Sequence, residues 1–172
     1  SPRKRCGNDV GRGRYPPDGH GANRISEDVL PMAAYGTIDI RNVTFCGHSD
    51  SGKTTLAEAM LFAAGAVTRR GTVGDQSTVS DFDIEERDRG HSIDASILHL
   101  DWNKRHLNLL DTPGRPEFFG QVVGSLAAVE TAAIVVSASS GLGVNTRRSW
   151  LEAERLGIGR IIVITKMDHE NI

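Results

Sequence analysis

Lysine, cysteine and net charge are all in short supply in this chain, and each shortage removes a class of function. The 172 residues carry twenty basic and twenty-two acidic side chains, for a formal net charge of -2. No overall positive field is available to hold nucleic acid, so DNA is not an expected partner and any RNA contact must be local or made elsewhere in a longer protein. The two cysteines, Cys6 and Cys46, stand far apart with no Cys-x-x-Cys spacing. That pattern argues against a disulfide framework and against a zinc site, and it fits a reducing cytoplasm. No apolar run reaches the length of a membrane span, and the N-terminal SPRKRCGNDVGRGRYPPDGHG has no apolar stretch of the signal-peptide kind. A cytoplasmic protein without membrane contact is the expectation. Lysine occurs only at Lys4, Lys53, Lys104 and Lys166, and two of these fall inside motifs.

What is present is enough for one globular domain, with 38% hydrophobic and 24% charged residues. Residues 1–36 are rich in Gly, Pro, Arg and Asp and lack periodic apolar positions, the composition of a tail that cannot bury enough surface to order itself. Met32, just before AAYGTIDIRN, is expected to be the natural start, with the residues upstream a gene-model extension. Residues 37–172 form the domain. From Arg41 onward, short β-branched runs alternate with helical stretches, the mark of a parallel sheet covered by helices. Strands are expected at 42–46, 92–101, 107–110, 132–136 and 160–165, and helices at 53–64, 116–129 and 145–156. Only a short WNKRH region separates the second and third strands, so that pair must be antiparallel. The fold class is α/β, a mostly parallel sheet with one antiparallel strand and helices on both faces. Residues 66–91 show neither period, and so long a loop is normally functional or mobile.

The segment GHSDSGKT, residues 47–54, fits G-x-x-x-x-G-K-[ST] and lies after an apolar β-branched strand and before a helix. In that context Gly47, His48, Ser49, Asp50, Ser51 and Gly52 curl the backbone so that successive N–H groups face phosphate oxygens, at the positive end of the following helix. The pattern leaves the side chains of His48 and Asp50 free. Lys53 is expected to bridge the β- and γ-phosphates, Thr54 to give its hydroxyl to Mg²⁺, and Thr55 to line the site. This loop alone would equally suit a kinase or an ATPase.

Two further motifs bear on the choice. Asp111-Thr-Pro-Gly114 follows the apolar LNLL run and places a carboxylate at a strand end, where it can reach Mg²⁺ through a water. Gly114 can offer its N–H to a γ-phosphate with no side chain in the way, although D-x-x-G by itself is also a common turn. At the end of the last strand, Thr165, Lys166 and Asp168 form T-K-x-D. An aspartate there accepts two hydrogen bonds from the N1 and N2 edge of guanine, a donor pair that adenine lacks. The stem of Lys166 can lie over the base. All three motifs stand at successive strand ends, where open α/β sheets bind ligands.

From Arg41 to the C-terminus the chain resembles elongation factor G and its relatives, the translational GTPases. The family pattern A/G-H-x-D-x-G-K-T-T is present as Cys46-GHSDSGKTT, R-G-I-T-I as RGHSI at 89–93, and D-T-P-G-H as DTPGR at 111–115. The resemblance implies a P-loop NTPase G domain, C-terminally incomplete, binding GTP or GDP with Mg²⁺. It implies that the stretch DFDIEERDRG, starting at Asp81, is the first switch around the γ-phosphate, with Ser92 as a Mg²⁺ ligand. It further implies GTP hydrolysis on the ribosome, serving translocation or recycling. A ribosome-protection factor shares the same domain, and a P-loop kinase or ATPase is disfavoured by Asp168.

Two departures qualify those expectations. Arg115 stands where the family has the histidine thought to orient the attacking water. A guanidinium only donates hydrogen bonds and keeps its proton, so Arg115 can stabilise charge on the γ-phosphate but cannot act as a base. A GTP-binding module with little hydrolysis is the corresponding alternative. Thr165 replaces the usual Asn, which is expected to remove hydrogen bonds bracing the phosphate loop and the base. Only His-Glu-Asn-Ile follows Asp168, so residues 160–165 are expected near an uncovered sheet edge, and this piece alone is expected to bind GTP weakly and to associate.

Overall fold

Alternation of burial along the central strands sets the layers of the fold. The computed structural model of the chain describes residues 35–80, 85–86 and 90–168. Most of the expected tail, Met32, most of the stretch 81–89 and the last four residues lie outside these. In β1 (Ile40–Gly47), Phe45 is buried on one face and Cys46 on the other. In β4 (Thr131–Ser137), Ala133 and Val135 join Phe45, while Ala132 and Ile134 join Cys46. Both strands are therefore buried on two sides, as a near-continuous β-branched or small apolar run requires.

The sheet runs in the order β2-β3-β1-β4-β5, with β2 at Ser96–Trp102, β3 at Arg105–Asp111 and β5 at Gly159–Thr165. β1 pairs in parallel with β3 and β4, and β4 with β5, while β2 and β3 are antiparallel. Asn103 and Lys104 join that pair with φ of 47° and 64°. Two successive positive φ values are what a two-residue hairpin turn needs to match strand twist. Helix α1 (Lys53–Ala63) covers one face through Ala57 and Leu61. Helices α2 (Phe119–Ala127) and α3 (Val144–Arg155) cover the other through Phe119, Val122, Leu126 and Ala153.

The largest departures from the expected element starts are at the second strand and the second helix. The second strand begins at Ser96 instead of 92, because its partner β3 ends at Asp111, opposite Ser96. Upstream of that point the buried Glu86 carboxylate accepts the N–H groups of Ile93 and Asp94 at 2.9 and 3.1 Å, holding the segment off the sheet. The helix expected from Pro116 starts as a 3-10 turn at Pro116–Phe118 before α2. Residues 71–80 of the long loop are pinned by Glu58, fully buried on α1, whose carboxylate accepts the N–H groups of Gly71 at 3.2 Å, Val79 at 2.6 Å and Ser80 at 3.4 Å. No helix among the described residues is long and apolar enough to cross a membrane. At one edge of the sheet, β5 leaves Ile161, Ile162 and Ile164 at least half exposed.

Candidate functional site

At the carboxyl ends of β1 and β3 the chain turns twice into one cleft of about 440 Å³. The first turn leaves β1 at Gly47, where a Cβ would run into the carbonyl of Val135 on β4. It closes at Gly52, whose φ of 87° suits a residue without a side chain, and passes directly into α1. No side chain caps that helix, so its first N–H groups remain available to an anion. Ser49, Asp50, Gly52, Lys53, Thr54 and Thr55 line the cleft.

Lys53 is only 7% exposed, and its Nζ donates to the carbonyl of His48 at 2.9 Å. Burial pushes its pKa below the usual lysine value, and the nearby Asp111 carboxylate is the largest influence holding it up. An incoming phosphate would act in the same sense as Asp111. Thr54 donates its hydroxyl to Asp111 Oδ2 at 2.7 Å, with the carboxylate buried beneath the cleft. These are two hard oxygen groups on one spot, and Ser92 lines the same cleft. That donor set suits a hard divalent cation whose remaining ligands are phosphate oxygens and water.

The second turn, after β3, is laid against the first. Thr112 donates its hydroxyl to the carbonyl of Phe45 at 2.6 Å, and Asn145 at the start of α3 donates to the carbonyl of Gly114 at 2.8 Å. A Cβ on Gly114 would lie 2.6 Å from Lys53 Nζ and 2.7 Å from the backbone nitrogen of Ser49. Glycine is thus required for the two turns to touch. Arg115 is exposed and lines the cleft.

The third expected element approaches from β5. Lys166 lines the cleft, whereas Asp168 is exposed and lies outside its lining. Thr165 departs from expectation: its hydroxyl donates to the carbonyl of Ser51 at 2.6 Å, so the phosphate loop keeps a brace without the asparagine amide. His48 departs as well. Its ring, expected to be free, packs on Gly143, where a Cβ would collide with it, and its Nδ1 is buried without a hydrogen-bond partner among the described residues. Its contribution to the cleft is the carbonyl that holds Lys53. Burial pushes the Cys46 thiol up to about 12, which makes it a packing group of the core. Among the described residues no three His, Cys, Asp or Glu side chains are placed to hold a metal ion.

Sequence reasoning missed Glu58, Glu86, His91 and Asn145. A clue existed for Glu58, an acid three residues before Leu61 on the apolar stripe of a helix. Nothing local distinguishes Asn145, whose partner Gly114 is 31 residues away.

Comparison with known proteins gives consistent matches. The family described as elongation factor Tu GTP binding domain matches residues 38–171. A mitochondrial ribosome-releasing factor 2 from Culex quinquefasciatus is 40% identical over 133 residues, covering 77% of this chain and 18% of that protein. Elongation factor G 2 from Streptomyces coelicolor is 40% identical over 129 residues, covering 75% and 19%. A crystal structure of a Thermus thermophilus protein superposes with a TM-score of 0.73 at 41% identity, covering 75% of this chain and 20% of that one. The chain therefore spans about a fifth of the length of the relatives it matches.

Proposed function

The chain belongs to the elongation factor Tu GTP-binding domain family, and on that premise we propose that residues 37–172 bind GTP and GDP and take part in hydrolysing GTP. The observation that carries this is the contact of the two turns, which brings the ammonium of Lys53 to the Gly114 backbone at the mouth of one cleft. Lys53 and the amides of the phosphate loop hold the β- and γ-phosphates, and the N–H of Gly114 distinguishes a nucleotide that carries the γ-group. Thr54, Asp111 and Ser92 are the residues that would hold Mg²⁺, which when bound neutralises phosphate charge. Lys166 and Asp168 serve the guanine, Thr165 braces the loop beneath it, and Arg115 donates to charge developing on the γ-phosphate.

Relatives named as ribosome-releasing factor and elongation factor support a role on the ribosome, in translocation or recycling, exercised by the full-length protein. A second reading, GTP binding with little hydrolysis, is favoured by one observation, the exposed Arg115 at the cleft. Displacement of labelled GTP separates guanine recognition from plain phosphate binding. Unlabelled GDP is expected to compete, while a hundredfold excess of ATP leaves most of the label bound. Equal competition by ATP would refute the guanine assignment. Ribosome-stimulated GTPase activity of the full-length protein then decides between the two readings.

A further inference from the structure

Attack of water on a phosphoric anhydride is helped by a group that accepts a hydrogen bond from that water, and Arg115 has no acceptor to offer. The imidazole of His91 is placed for this work. It lines the same cleft as Lys53, Gly114 and Arg115. Its backbone N–H donates to the carbonyl of Glu86 at 3.2 Å. Its ring tilts against that of Phe118, with centroids 6.4 Å apart, in the 3-10 turn that starts right after Arg115. The ring is thus held between the segment carrying Ser92 and the 3-10 turn that follows Arg115. Nδ1 lies 3.4 Å from the carbonyl oxygen of Ser92. A carbonyl only accepts, so this contact favours the tautomer with the proton on Nδ1 and leaves the Nε2 lone pair open. His48, the histidine of the phosphate loop, is committed to Gly143.

We propose that His91 is the catalytic residue that orients the attacking water, accepting a hydrogen bond from it at Nε2 from the segment that carries Ser92. The inference rests on the GTP-hydrolysis reading above. The water oxygen forms a bond to the γ-phosphorus while the bond from that phosphorus to the β–γ bridging oxygen breaks. GDP leaves with that electron pair, and the water proton passes to an oxygen of the transferred phosphoryl group, giving inorganic phosphate.

The test is single-turnover hydrolysis of GTP bound to the full-length protein on ribosomes, with GTP and GDP affinities measured in parallel. His91→Ala is expected to slow hydrolysis about a hundredfold and to leave both affinities within about twofold of the parent, since the side chain acts on water and not on phosphate. His91→Gln is expected to stay within about tenfold of the parent rate, because a carboxamide also donates and accepts. Unchanged hydrolysis in His91→Ala would overturn the role of His91 and leave the GTPase reading standing. A loss of GTP affinity as large as the loss of rate would also overturn it, showing that the ring only shapes the cleft. A parent protein that does not hydrolyse GTP on ribosomes removes both readings.

Discussion

The phosphate end and the base end of the cleft are built by different means. Around the phosphate loop four side chains are locked to their neighbours: Lys53 to the His48 carbonyl, Thr54 to the buried Asp111, Thr112 to the Phe45 carbonyl and Asn145 to the Gly114 carbonyl. At the base end, Met167 and Asp168 are exposed, and the strand that delivers them is an edge with three open isoleucines. Buried and satisfied dipoles are already aimed before a ligand arrives and act through a low dielectric. An exposed carboxylate is well hydrated and gains little by exchanging water for a base. In this chain, affinity should therefore come mainly from the phosphates, with base recognition a smaller addition.

The sharpest way to break that comparison is at Lys53. Replacing it with Met keeps the length of the buried stem and removes the charge, leaving Asp111 without its buried cationic neighbour. GTP and GDP affinity should both fall by about two to three orders of magnitude, the scale for truncating one member of a buried charge pair. Fluorescent-nucleotide titration measures it, and a loss below about tenfold would show that the phosphate end is not dominant.

Gly114→Ala comes next. The new methyl would meet Lys53 Nζ and the backbone of Ser49 inside van der Waals distance, and backbone cannot swing aside as a side chain can. The turn after β3 must lift off the phosphate loop, at a cost of about 1–3 kcal/mol in stability on the overpacking scale. The γ-phosphate loses its N–H donor while the α- and β-phosphates keep theirs. GTP affinity should fall about tenfold relative to GDP. Parallel titrations with the two nucleotides provide the check, and an unchanged ratio would place the γ-phosphate donor elsewhere.

The same contrast explains what could be read without coordinates. The order of strands and helices follows from two-residue and near-four-residue periods, and the turns around Gly47 and Gly114 follow from glycines at fixed distances from strand ends. These are local signals. The place of Ser92 outside the sheet was not legible, because it depends on Glu86 capturing the N–H groups of Ile93 and Asp94. The inward ring of His48 was hidden for a similar reason, since only the approach of Gly143 on a distant loop makes room for it. Period and motif register what a residue does along its own element, whereas a side chain bonded to remote backbone leaves no period. Asp168, the residue on which the base assignment leans, is exposed and stands outside the lining of the cleft.

Among the described residues, Thr165 supplies the direct hydrogen bond between the two ends, and its removal should have the smallest effect. Its hydroxyl has a single proton, and its oxygen lies 2.6 Å from the carbonyl oxygen of Ser51 and 3.2 Å from that of Val136, so Ser51 takes the stronger bond. Thr165→Val keeps the branched shape packed near Gly52 and deletes only that donor. The expected cost is about 1 kcal/mol, seen as a roughly fivefold loss of affinity shared equally by GTP and GDP, because the brace supports the loop beneath both. Hydrolysis of GTP once bound should be unchanged, since the turn at Gly114 and the ring of His91 do not touch this bond. A loss confined to GTP would mean that strain at the base end reaches the γ-phosphate, and the two regions would then have to be treated as one cooperative unit.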